Sequence, residues 1–505
     1  MKKIILNIAI FAAVAFATSC DSNFDELNTN KVSATSIDPA FQLNQAIVGC
    51  AYPNGSLIYD IGIVQQIISP NSGVLTGANY NQDNRNATQE LWQGYYRNVI
   101  KNTRDVINRI QDQPERANLL HMTRIIQAFA FMVLTDDYGS IPYFEGGQGY
   151  SQQIYLPVYD SQQAIYEDLI KELSEATAAL NTAGRVESAD ILYAGDINKW
   201  KSFGYSLLLR AGMRLSEVDA AKAQQVVQTA FQGGVITANS QNAVIRHDPN
   251  YTNTIGNLLN STEASNFYLT APFVNYLRSK NDPRLSAIAI TYVGAKSGPE
   301  QTPANGTYDA SVHVGMPMGN DNAGAVKAAS DEGLASFYEF AQADRRRLAK
   351  NTAPNFLVTA SQTNLLLAEA RQRGWITSGT VESYYNAGIR AHMDQLGTVD
   401  PGSAIAPTAV DAYLAENPFD ASMALEQINT QYWVSSFLNG PEAFANFRRS
   451  GFPVLNTNPF PGKEVDFINR LTYPNSEISV NSENVSAAIS SQGPDNLATK
   501  VWWDK

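Results

Sequence analysis

Histidine, cysteine and charge are all scarce in this chain of 505 residues. The four histidines, His121, His247, His313 and His392, lie far apart, and none has a second ligand at the spacing a zinc site uses. No metal ligands and no cofactor are therefore assigned. Charged residues make up only 17% of the chain; 36 basic against 48 acidic residues give a net charge of −12, with no long run of one sign. That balance argues against nucleic acid and against electrostatic docking on anionic lipid. Also missing are a G-x-S-x-G elbow, a phosphate-cradling glycine loop and a dinucleotide fingerprint after a strand. The adjacent acids Asp136-Asp137 and Asp331-Glu332 read as solvated positions or caps. The glycine-bounded turn Gly319 to Gly324 offers oxygen ligands for a calcium ion but lacks the spacing and closing Glu of an EF-hand, so a solvated turn is the first reading and a calcium site the second. No catalytic residue is assigned, and the chain is read as a non-enzyme.

Long apolar runs are missing too, except at the start. Lys2 and Lys3 precede an apolar stretch from Ile4 to Ala17, followed by Thr18, Ser19 and Cys20. This is the pattern of a secretory signal, and its ending in small residues before a cysteine resembles a bacterial lipoprotein signal. Residues 1–19 are then the leader, Cys20 the lipid-bearing first residue of the mature chain, and 20–36 a polar tether. No later stretch is apolar over the roughly 20 residues a membrane helix needs. With Cys20 lipidated, Cys50 is the one remaining thiol, so no internal disulfide forms and stability rests on packing. Cys50 ends the pattern Phe41, Leu43, Ala46, Ile47 and reads as a small buried hydrophobe.

The rest, 37–505, reads as one mainly α domain. Helical patterns cover 39–51, 57–68, 86–111, 115–136 and, after an N-cap at Ser161, the stretch to Leu180. The segment from Gly195 to Ser216 is the most regular: Ile197, Trp200, Gly204, Leu207, Leu208, Ala211 and Leu215 line one side of a helix capped by Asp196. Phe203, Leu209 and Met213 make a second apolar side, so the spacing predicts a helix enclosed by other helices. Another helix spans 219–231. Helices of this length, paired antiparallel, suggest tetratricopeptide-like hairpins over about 37–234 and again over 353–450. Between them, about 235–352 is rich in Asn, Gly, Ser and Pro, with a predicted helix over 263–279 and a short strand near 287–293. Such a long irregular insertion points to function. The tail from 451 reads as irregular, with Trp502 and Trp503 docked at its end.

Aromatics are plentiful, with 24 Tyr, 21 Phe and 6 Trp. Several tyrosines lie in polar loops, where their faces suit sugar rings and neighbouring amides and carboxylates suit hydroxyl or peptide groups. On that ground Asn79, Tyr80 and Asp83 in the loop 69–85, with Tyr251, Asn266 and Tyr308 in the insertion, are the candidate ligand-binding residues. Trp92, Tyr95 and Tyr96 fall at helical core spacing and are left out.

Taken in order, several short stretches resemble the SusD/RagB family of nutrient-binding outer-membrane lipoproteins of Bacteroidetes. They begin with Cys20-Asp-Ser-Asn-Phe-Asp-Glu-Leu-Asn-Thr-Asn30, Thr135-Asp-Asp-Tyr-Gly-Ser-Ile-Pro-Tyr143 and Tyr159-Asp-Ser-Gln-Gln-Ala-Ile-Tyr166. Gly195-Asp196 with Trp200, Asn281-Asp-Pro-Arg284, Leu366-Leu-Ala-Glu-Ala370 and Tyr384-Tyr-Asn-Ala-Gly-Ile-Arg390 follow. Phe437-Leu-Asn-Gly-Pro-Glu-Ala-Phe444, Arg448-Arg-Ser-Gly-Phe-Pro453 and Val501-Trp-Trp-Asp504 complete the series. Phe444 and Phe447 stand where such sequences commonly have tryptophan. The resemblance implies a SusD-like α-α superhelix with a loop-borne ligand site on a surface lipoprotein. It further implies that the protein captures oligosaccharides, or peptides as in the RagB-like branch, for a SusC-like TonB-dependent β-barrel transporter. A non-catalytic structural adaptor at the outer membrane is the other reading. The resemblance transfers no ligand residue, because the binding loops carry no family motif.

Overall fold

Asp196 begins the central helix as its cap, accepting hydrogen bonds from the amides of Asn198 and Lys199 at 3.0 and 3.2 Å. The helix runs Ile197–Arg214. Trp200 is fully buried, meets Tyr193 and Phe203 edge-on, and donates its indole N–H to Asp190 at 2.7 Å. Asp190 also gathers the amides of Leu192, Tyr193 and Gly195. Gly195 has φ +79°, and a Cβ there would meet the Glu187 carbonyl oxygen at 3.0 Å, so this turn requires glycine. A Cβ on Gly204 would stand 2.1 Å from Thr177 Oγ1, and one on Gly212 2.9 Å from Val226. Those two positions let the helices Gln162–Ala179 and Ala220–Gly233 lie close on either side.

The computed structural model describes residues 37–261, 266–463 and 467–504. The leader, the tether and Cys20 lie outside the described residues. Residues from Pro39 onward form one unit. Its scaffold is a series of packed helices: Pro39–Gly49 against Lys101–Ile110, Ala117–Tyr138 against Gln162–Ala179, and Ala360–Gln372 against Val381–Val399. Helices Ala424–Ser435 and Gly440–Ser450 pack onto this series. The segment Pro114–Tyr138 is long and apolar enough to cross a membrane, contrary to the sequence reading, but 78% of its apolar window is buried inside the protein. It is a core helix.

Other differences have local causes. The expected helix over 57–68 is instead Asn54–Ile58, Asp60–Ile63 and a strand, Ile67–Ile68, because Gln65 takes φ +53° and the strand pairs antiparallel with Tyr268–Leu269. The helix expected over 86–111 is Arg85–Tyr95, a π-helical segment Tyr96–Ile100 and Lys101–Ile110. Asp136 and Asp137, read as solvated, are both buried: Asp136 accepts hydrogen bonds from Tyr166 (2.5 Å) and Trp503 (3.0 Å) and pairs with Arg214. Trp503 is thus docked, as expected. The tail is less irregular than predicted, with helices Asn475–Val480 and Ser482–Gln492.

The insertion carries helices Thr254–Asn260, Ala271–Ser279 and Asn322–Asp331. It also holds a sheet in which Ala289–Tyr292 lies between Gly306–Thr307 and Gln342–Ala343, both antiparallel to it. Two small cores stand apart from the main one: Ile68 with Tyr268, Met316 and Phe340, and Ile290 with Tyr292 and Ala295.

Candidate functional site

The loop 69–85 is stapled to distant segments by the residues the sequence singles out. Asn79 donates to the carbonyls of Ser69 and Asn320, both at 2.8 Å, and accepts from the Gly319 amide at 2.8 Å. Asp321 caps the helix after that turn by accepting from the Gly324 amide at 2.8 Å. Tyr80 is buried; its hydroxyl donates to the Pro70 carbonyl and its ring meets Phe460 at 4.6 Å. Asn266 is half-buried and accepts from the Asn71 side chain. Asn79, Tyr80 and Asn266 are therefore tied to a common loop.

The other three lie in separate neighbourhoods. Asp83 is exposed, accepts from Thr472 at 2.7 Å and pairs with Arg85 at 3.1 Å. Tyr251 is exposed, its ring stacked on His247 at 5.2 Å and its hydroxyl donating to the Val48 carbonyl at 3.0 Å. Tyr308 is exposed, with the Arg347 guanidinium 3.8 Å from its ring centroid. Burial raises the phenol pKa of Tyr80, Tyr251 and Tyr308, so all three are neutral donors at neutral pH.

Sequence reading missed a further aromatic pair on the insertion. Phe337 and Tyr338 are half-buried and stacked at 4.2 Å with an interplanar angle of 27°. They sit on the turn Phe337–Glu339, where Ser336 caps the Tyr338 amide at 3.0 Å and Gln301 donates to the Tyr338 carbonyl at 2.9 Å. Two adjacent aromatics after Gly333 in a polar stretch are the signal that marks them. Phe460, half-buried on Tyr80, is the third missed ring.

A second missed feature is a cleft of about 640 Å³ between the helix surface at Trp92 to Lys101 and the loop 142–157. Trp92 is buried as expected, and Tyr96 is half-buried, donating its hydroxyl to the Pro142 carbonyl at 2.6 Å. Tyr150 and Tyr155 on the facing loop are 88% and 75% exposed.

The titratable groups are dispersed. No cluster of His, Cys, Asp or Glu that would hold a metal occurs among the described residues. His313 is buried against Thr291 at 2.9 Å, and burial lowers its pKa to about 4. Cys50 is buried, and burial raises its thiol pKa, which fits a packed hydrophobe and not a nucleophile.

This chain matches a family model described as starch-binding associating with outer membrane, over residues 29–474. It belongs to the SusD-like family. A chitin-binding protein shares 29% identity with this SusD-like chain, with a TM-score of 0.81 over 93% of this chain and all of the other. A Bacteroidetes SusD-like protein at 24% identity has a TM-score of 0.80 over the same shares. A chitin-binding SusD homologue from Flavobacterium johnsoniae, at 23% identity, has 0.76 over 92% of this chain and 98% of its own. These last two are alike in fold. No curated protein matches the sequence. The SusD-like fold thus unites the expected helical scaffold and the loop-rich insertion in one architecture.

Proposed function

We propose that this protein is a cell-surface binding protein, anchored through Cys20, that captures oligosaccharides and passes them to a SusC-like TonB-dependent β-barrel without cleaving them. The observation that carries this reading is the likeness, over 93% of the chain, to a chitin-binding protein at 29% identity. Rings on irregular backbone support it, since aromatic faces stack on pyranose rings while fixed loops limit the entropy lost on binding. In this reading Asn79 and Tyr80 hold the loop, Asn266 hydrogen-bonds sugar hydroxyls and the Phe337–Tyr338 pair offers ring faces. Asp83, Tyr251 and Tyr308 offer separate contacts to a ligand long enough to reach their own neighbourhoods.

Calorimetric titration of the mature protein with chitin and starch oligosaccharides tests the proposal. Binding is expected, and Tyr308→Ala or Tyr338→Ala should weaken it by about tenfold, the loss of roughly 1.4 kcal/mol. Copurification from detergent-solubilised outer membranes should bring a TonB-dependent barrel with it. Absence of binding to either glycan, with no barrel recovered, would sink the reading; glycan binding that survives both substitutions would move the site elsewhere.

A further inference from the structure

The cleft beside the π-helical segment is built differently from the loop face. One wall is helical, bearing Tyr96, Arg97 and Lys101, and the other is the loop with Tyr150 and Tyr155. Trp92 lies at the floor, backed by Tyr159 at 5.9 Å and 25°. A folding chain gains by turning large rings inward, yet here the backbone holds two tyrosines outward. A Cβ on Gly146 would stand 3.1 Å from the Tyr96 ring and one on Gly147 2.7 Å from the Ile100 side chain, so the loop lies directly on the helix. Arg104 donates to the Tyr143 carbonyl at 2.7 Å, Glu145 accepts from the Val158 amide at 2.9 Å, and Asn481 donates to the Pro157 carbonyl at 2.8 Å. The two ends of the loop are thereby tied down around its exposed rings.

The cleft also has a charge the rest of the molecule does not lead one to expect. Arg97 and Lys101 are exposed, four residues apart, and their side chains make no ion pair or hydrogen bond among the described residues. They stand free in a chain of net charge −12. Glu477 is the one carboxylate lining this space among the described residues, and it accepts from the Tyr159 hydroxyl at 2.9 Å. π-Helical segments are rare and frequently mark functional sites, and this one carries Tyr96 and Arg97.

We propose that this cleft is a second binding site, for an acidic oligosaccharide whose rings stack on Tyr150 and Tyr155 while its carboxylate or sulfate groups pair with Arg97 and Lys101. An uncharged glycan would leave both cations unused. Nucleic acid would need many more cations than two, and meets a net negative protein. Charged hydrogen bonds to guanidinium and ammonium reward an anion in a space with aromatic walls.

Calorimetry on the full mature chain tests this with three probes: tetragalacturonate, its methyl ester, and a chondroitin sulfate tetrasaccharide. At least one acidic probe should bind, more weakly at high salt, and the uncharged ester should not. Binding of tetragalacturonate alone assigns a carboxylate ligand, and binding of the chondroitin probe alone a sulfated one. The double variant Arg97→Gln/Lys101→Gln should lose about tenfold in affinity, as should Tyr150→Ala/Tyr155→Ala. These side chains are exposed, so circular dichroism should show both variants folded, and binding of chitin oligosaccharides should be unchanged. Glu477→Gln should tighten the acidic probe. Failure of both acidic probes, equal binding of the ester, or wild-type affinity in the cation variant would overturn the proposal, whatever the outcome for the loop face.

Discussion

Single buried side chains set the stability of this protein. Trp200 fills a pocket between Tyr193 and Phe203 and satisfies its N–H on Asp190, so Trp200→Ala should cost about 3–5 kcal/mol in denaturant unfolding. Glu369 is buried and paired with Arg449 at 2.7 Å. Burial alone raises a carboxyl pKa, but Arg449 outweighs it and holds Glu369 at about 2, down from 4.5. The folded state therefore binds fewer protons than the unfolded one below pH 4.5, and the stability Glu369 contributes is lost as pH falls towards 2. Glu369→Gln should cost about 3–5 kcal/mol at neutral pH and reduce that acid-side loss. Asp60 has the opposite sign. Its complete burial raises its pKa from 3.8 to about 7, so the folded state keeps a proton that the unfolded chain releases. Its contribution is full below pH 3.8 and is lost as pH rises through 7. Urea melts across this range should show a shallower decline for Asp60→Asn. The sequence marks Trp200 as core through its spacing, but it gives no sign that Asp60 and Asp137 are buried, because a carboxylate's environment is made by segments far away in the chain.

Elements were legible where local signals agree. Ser161 caps Gln162–Ala179 by accepting from the Ala164 amide at 3.3 Å, and Asp196 caps its helix likewise. Ser161→Ala and Asp196→Ala should each cost about 1 kcal/mol in thermal or urea unfolding. Elements that depend on a distant partner were not legible. Ile67–Ile68 extends the apolar run of a helix, yet it is a strand because Tyr268–Leu269 offers it a ladder. The π-helical turn within Arg85–Ile110 leaves no mark in the spacing either, and the spacing puts Tyr96 in the core without showing the cleft it lines.

Across the whole molecule, the tail closes the scaffold. Trp503 is fully buried and donates to Asp136, which also pairs with Arg214 of the central helix. Trp503→Ala should therefore cost about 3–5 kcal/mol, and limited proteolysis should then clip the residues after 467 first. Helix positions, caps, the apolar faces and the shift to loop texture near 235 follow from the sequence by itself, because neighbours three and four residues apart decide them. The ordered short motifs likewise carry the family resemblance without any coordinates. The tertiary structure decided which partners the polar loop residues take. Asn79 and Tyr80 are candidate ligand groups in the sequence, and only the fold shows that they also bond Ser69, Asn320, Gly319 and Pro70 and so fix the loop. Only the fold sets Tyr150 and Tyr155 opposite Arg97 and Lys101, since such a juxtaposition depends on where separate segments come to rest, which no local pattern encodes.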